Sequence, residues 1–294
     1  MLNELIDPEL LKRLERLTIS SKRLFSGTIK GRRRSVKRGS SVEFADYRDY
    51  QVGDDLRFVD WNIYARLDKL FLKTFIEEED IVIHILIDVS KSMTFGSPPK
   101  LGYAKRLAAA LGYVGLVNLD SITISTFAED IKQRFLPVRG KDQIFNIANF
   151  IGGIESAQRT IMKKSLRNYA LSAFKPGVAI IISDFLVNPI DYQAGLKSML
   201  NKNFDIGIIQ ILSQEEINPT IFGELQLEDS ETGEIKEITI TEKIIERYKE
   251  RVKNFCLELE EFCSSNNISY VNISVDIPLE EILLKSLRRE NVII

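Results

Sequence analysis

One histidine, two cysteines and one tryptophan are all that 294 residues supply of three side chains on which much site chemistry depends. Each scarcity removes a class of function. A closed zinc site needs about four Cys or His ligands, more than the whole chain carries. A Ser-His-Asp hydrolase would have to use His84 as its base, yet His84 sits inside IVIHILI at 81–87, where it reads as a strand side chain with a structural role. Cys256 and Cys263 fall in one helical pattern and supply no disulfide framework, which fits a reducing compartment. No run approaches the roughly 20 apolar residues of a membrane-spanning helix. The opening MLNELIDPELLKRLERL is charged throughout, unlike a secretory leader, so the expectation is a cytoplasmic protein. Nucleotide loops are missing too. No GxGxxG follows a strand candidate, and RGKD at 139–142, the nearest string to GxxxxGK[ST], lacks both the first glycine and the hydroxyl. Net charge is only −2, and basic residues concentrate in one short tract, Lys30, Arg32, Arg33, Arg34, Lys37 and Arg38. That tract reads as a solvated loop; nucleic acid is not an expected partner, while contact with an anionic membrane surface stays open.

What is present, from residue 81 onward, is an alternation of β-branched runs with helical segments. Strand candidates are 81–87, 121–127, 131–136, 178–183, 205–212 and 268–274; helical periodicity covers 100–119, 142–151, 163–174, 189–200, 242–264 and 279–288. Runs such as VIHILI and VAIIIS are apolar on both faces, which predicts an α/β fold: a doubly wound, mainly parallel sheet of Rossmann-type topology with helices on both sides. Two runs at 221–227 and 234–240 flank DSETG at 229–233 and predict a β-hairpin insertion near 221–240. The first 79 residues differ in kind. An amphipathic helix at 8–17 and the basic tract precede aromatic-rich segments at 43–50, 59–64 and 70–76, suggesting a small, mostly β N-terminal module, with the α/β domain occupying 80–294.

The loop after the first strand of that domain carries Asp88, Ser90 and Ser92. Ligands of open α/β sheets bind beyond the carboxyl ends of the strands, and three oxygen side chains at alternate positions can turn toward one point. A carboxylate with two hydroxyls is a hard donor set suited to Mg²⁺ or Mn²⁺. The run AIIISD at 179–184 ends on Asp184 in the same kind of place, and Thr160 lies in a loop ahead of a helix. The bland alternative for each of these residues is an N-cap.

Together DxSxS, a later Thr and a later Asp resemble the metal-ion-dependent adhesion site of von Willebrand factor A domains, matched here by Asp88, Ser90, Ser92, Thr160 and Asp184. Upstream, GSSVEFADYRDYQVGDDLRFVDWNIYAR at 39–66, LFLK at 70–73 and FIEEE at 75–79 closely resemble the signature of the DUF58 family of prokaryotic proteins, as do 229–233, Tyr270-Val271 and 278–287. The resemblance implies a von Willebrand factor A-like domain following the signature segment, a metal bound by the five residues directly or through water, an acidic group of a partner completing the coordination, and a MoxR-type AAA+ ATPase as the partner. In plain physical terms the signature alternates Asp and Arg among aromatic residues, as at a charge-paired docking interface; a partner-binding surface is the other reading.

Two further readings compete. A Mg²⁺-dependent phosphatase-like hydrolase would use Asp88 as nucleophile, but needs a second carboxylate two positions on, where Ser90 stands. A scaffold with a vestigial metal site is the other. The reading preferred is a non-enzymatic, metal-dependent interaction module.

Overall fold

In the computed structural model the residues described are 2–20, 43–76, 81–220, 223–228, 235–290 and 292–294. Contacts divide the chain into two compact units, one comprising Met1–Ile29 with Ile81–Ile294, the other Lys30–Asp80. The basic tract at 30–38 and the DSETG turn lie outside the described residues.

In the small unit, β1 (Glu43–Asp49) and β2 (Phe71–Ile76) pair antiparallel, with a bulge between Phe44 and Asp46. The aromatic segment around Trp61, anticipated as β-like, is instead a helix over Trp61–Leu67. Asp60 explains the difference, because its side chain accepts from the backbone N–H groups of Asn62 and Ile63 and so caps the helix. Asp68, in the left-handed region at φ 47, ends it. Charges of the signature find partners within this unit: Arg48 grips Asp54 through two bonds of 2.7 Å, and Arg57 pairs with Asp55.

The larger unit is built on β3 (Val82–Asp88), β4 (Ser121–Phe127), β5 (Ile131–Val138), β6 (Val178–Ser183), β7 (Asp205–Leu212) and, after the antiparallel pair β8 (Gly223–Glu228) and β9 (Ile235–Ile240), β10 (Ser269–Ser274). The six-stranded sheet runs β10-β7-β6-β3-β4-β5, parallel throughout except for the β5 edge. This is the doubly wound, mainly parallel α/β arrangement expected. Strand alternation divides the apolar runs between two layers. Ile83, Ile85, Ile87, Ile180 and Ile182 pack toward the helices Lys100–Val117 and Ile144–Gly152, whereas Leu86, Ala179 and Ile181 pack toward Met162–Ser172, Pro189–Leu200 and Glu242–Ser265. Complete burial of such a side chain is worth about 1.5–3 kcal/mol, so strands without a wet face are the natural outcome of these sequences.

The N-terminal segment, assigned on sequence pattern to a module of residues 1–79, groups with the α/β unit. Ile6, Leu10, Leu14, Leu17 and Ile19 are buried in the same layer as the Lys100–Val117 helix. The Thr18 N–H donates to the Ile294 carbonyl, whose own N–H donates back to Thr18. An amphipathic stripe announces a buried face without naming what covers it, and here the cover, the Lys100–Val117 helix, begins 81 positions beyond Ile19 (100 − 19).

His84 is a structural residue of β3. It is buried, with Nδ1 2.8 Å from the Tyr169 hydroxyl and the rings of Tyr169 and Phe204 edge-on to it.

Candidate metal centre

β3 lies between β4 and β6, and the order of strands reverses between β3 and β6. That is the switch point at which a doubly wound sheet opens a crevice. Ile87 is in register with Ile182, so the residues that follow, Asp88 on one strand and Ser183-Asp184 on the other, emerge side by side.

All five anticipated residues meet there in one hydrogen-bonded chain. Thr160 Oγ1 donates to Asp88 Oδ1 at 2.8 Å, the Ser90 backbone N–H donates to the same oxygen at 2.9 Å, Ser90 and Ser92 hydroxyls are 3.1 Å apart, and Ser92 Oγ donates to Asp184 Oδ2 at 2.7 Å. Asp88, Ser90, Thr160 and Asp184 are buried and Ser92 is half-buried. Backbone bonds fix the loops: Lys91 N–H donates to the Gln158 carbonyl and Ala157 N–H to the Val89 carbonyl, tying the Ser90–Ser92 turn to the strand of chain that bears Thr160. The capping alternative fails for the hydroxyls. Ser90 precedes the short 3-10 turn Lys91–Thr94 without a side-chain cap bond, and the Thr160 hydroxyl is spent on Asp88.

Sequence reading missed four contributors. Ser183 Oγ donates to Asp88 Oδ2 at 2.7 Å and accepts from the Phe185 N–H. Phe185 itself is in the left-handed region at φ 56, a conformation that costs about 1–3 kcal/mol for a bulky residue and clusters at functional sites. Gln210 on β7 donates to the Asp184 carbonyl at 2.9 Å. Lys100, wholly buried, donates to Asp184 Oδ2 at 2.8 Å and also to Glu216 Oε1. Two signals could have revealed the last pair. Lysine as the first residue of a long helix opposes the helix dipole, and SQEE at 213–216 is a capping-box pattern.

Asp88 accepts from the Ser90 N–H, Thr160 and Ser183; none of these is a cation. Burial, and then the neighbouring Asp184 carboxylate, push its carboxyl above the usual carboxylate range. A buried carboxylate met by neutral donors alone is costly, and a cation beside it would relieve that cost. Among the described residues no group of three or more His, Cys, Asp or Glu is arranged to hold a metal; an ion at this crevice would have to draw on hydroxyls as well as carboxylates. Two carboxylates and three hydroxyls of this kind fit a hard divalent ion that retains waters.

Known proteins give the following likenesses. A family model described as "Protein of unknown function DUF58" matches residues 46–255. Over 240 residues the chain is 24% identical to the uncharacterized protein Rv1480 of Mycobacterium tuberculosis, covering 80% of this chain and 75% of that protein. Similar solved structures include the conserved hypothetical protein BatB of Bacteroides thetaiotaomicron (TM-score 0.44, 16% identity, 71% of this chain and 98% of that one) and the VWA domain of SpRpn10 (TM-score 0.40, 12% identity, 71% and 95%). No helix of the described residues is long and apolar enough to cross a membrane.

Proposed function

The chain belongs to the DUF58 family of proteins of unknown function, and on that footing we propose that its α/β unit is a non-enzymatic, metal-dependent protein-interaction module. The observation that carries this reading is the convergence of Asp88, Ser90, Ser92, Thr160 and Asp184 at the β3/β6 crevice through direct hydrogen bonds. These five residues would hold Mg²⁺ or Mn²⁺. The ion would supply a hard Lewis acid able to take one carboxylate oxygen of a partner. The chain's own residues do the rest: Ser183 and Thr160 orient the Asp88 carboxylate, and Gln210 and Ser92 orient Asp184.

The partner proposed is a MoxR-type AAA+ ATPase or its client in the cytoplasm, with this protein as adaptor or co-chaperone. Ser90, two residues after Asp88, is buried and shares its hydroxyl with Ser92; it offers no general acid for phosphatase chemistry at neutral pH. Titration calorimetry with Mg²⁺ and Mn²⁺ tests the reading. The wild type should bind, and Asp88→Ala should not; equal, negligible heats from both proteins refute it and favour a scaffold with a vestigial site. A pull-down of the ATPase that is lost in EDTA and in Asp88→Ala identifies the partner.

A further inference from the structure

Lysine is almost never fully buried unless its charge is answered. Lys100 is wholly buried, and its ammonium is answered twice, by Asp184 Oδ2 at 2.8 Å and by Glu216 Oε1. It is also the first residue of the Lys100–Val117 helix, the end at which the helix dipole repels a cation. Neither packing nor helix stability accounts for an ammonium in that place.

Its surroundings tie it to the candidate metal centre. Asp184 Oδ2, the oxygen that Lys100 meets, is the same oxygen that accepts from Ser92. Glu216 is held in turn by a capping box: the Ser213 N–H donates to Glu216 Oε2 at 2.8 Å, and the Glu216 N–H donates to Ser213 Oγ. The loop that carries Ser92 closes onto this box at Gly96, where φ is 96 and an added Cβ would stand 2.5 Å from the Ser213 Cβ. One oxygen of Glu216 therefore fixes the box while the other fixes the ammonium.

We propose that Lys100, locked by Glu216, is a positioning residue that sets the charge of the metal centre, so that a divalent ion closes it. Three buried carboxylates, Asp88, Asp184 and Glu216, stand against one ammonium. The deficit is two negative charges, the complement of Mg²⁺ or Mn²⁺. The inference rests on the metal reading given above. Removing the ammonium raises the deficit to three, the complement of a trivalent ion; removing the Glu216 charge lowers it to one; removing both restores two.

The test compares Mg²⁺ with Tb³⁺ by titration calorimetry on the full chain, for wild type, Lys100→Met, Glu216→Gln and the double variant. Lys100→Met should shift the preference toward Tb³⁺, and Glu216→Gln should shift it toward Mg²⁺, each by about tenfold, which one unit charge supplies at about 6 Å and an effective dielectric of about 40. The double variant should return to within about threefold of the wild type, because equal and opposite charges have been removed. A residue that merely fills space would not shift selectivity in opposite directions in the two single variants. Glutamine keeps the shape of the capping box, so Glu216→Gln reports even where Lys100→Met fails to fold. An unshifted ratio in Glu216→Gln, or shifts of the same sign in both single variants, overturns the proposal. Absence of binding of either ion to the wild type refutes the underlying metal reading instead, and the two failures are distinguishable.

Discussion

Replacing His84 with glutamine removes the chain's only imidazole and with it a pH dependence whose size can be worked out. Burial in β3, against Tyr169 and Phe204, pushes the imidazole down to about 4, from 6.5 in the open chain. The unfolded chain therefore takes up a proton as pH falls through 6.5, while the folded protein does so only near 4. Protons favour the unfolded state across that window, so stability falls as the solution is acidified and the loss is complete below about 4. The gap is worth about 3 kcal/mol when fully developed, and about 2 kcal/mol of it is already lost by about pH 5. The assay is urea unfolding of wild type and His84→Gln at about pH 7.5 and about pH 5. The variant lacks the bond to the Tyr169 hydroxyl, a cost that appears at both pH values and cancels in the difference. Carboxylates titrate alike in both proteins. The wild type should lose about 2 kcal/mol more than the variant between the two conditions. Equal losses would refute the assignment of His84 as a buried, neutral residue of the sheet.

Two other substitutions probe the remaining architecture. Ser183→Ala takes away the donor to Asp88 Oδ2 and the acceptor for the Phe185 N–H; Mg²⁺ affinity by calorimetry should fall about tenfold or more, as for other groups that orient a metal ligand, and unchanged affinity would remove Ser183 from the centre. Leu14→Ala empties a completely buried position at the end of the helix Pro8–Leu14 and should lower the stability of the α/β unit by about 2–5 kcal/mol in urea unfolding, whereas a wild-type midpoint would show that this helix is not part of its core.

The sheet was legible because β3 and β6 are apolar on both faces, a pattern that a doubly wound fold satisfies directly. Asp88, Ser90 and Ser92 were legible for a similar reason: alternate positions beyond a strand end share a direction. Lys100 and Glu216 were not, since their meaning depends on a contact across 116 positions of chain, and each alone resembles an ordinary surface charge. The helix at Trp61–Leu67 was obscured by its aromatic content, which raises β propensity; Asp60 was the cue that outweighed it. The N-terminal helix was recognised as amphipathic but placed with the wrong unit, because periodicity identifies a face and not its neighbour.

The pairing of Val292 and Ile294 with Ser20 and Thr18 also fixes which edge of the α/β unit these segments cover. Val292 and Ser20 lie beside Val178, Asp205 and Gly207, at the start of β6 and β7, whereas Asp184 follows the last residue of β6. A six-residue strand spans about 20 Å. The paired segments of Ser20 and Val292 therefore lie at the rim of this sheet opposite the crevice, a strand's length from Asp184.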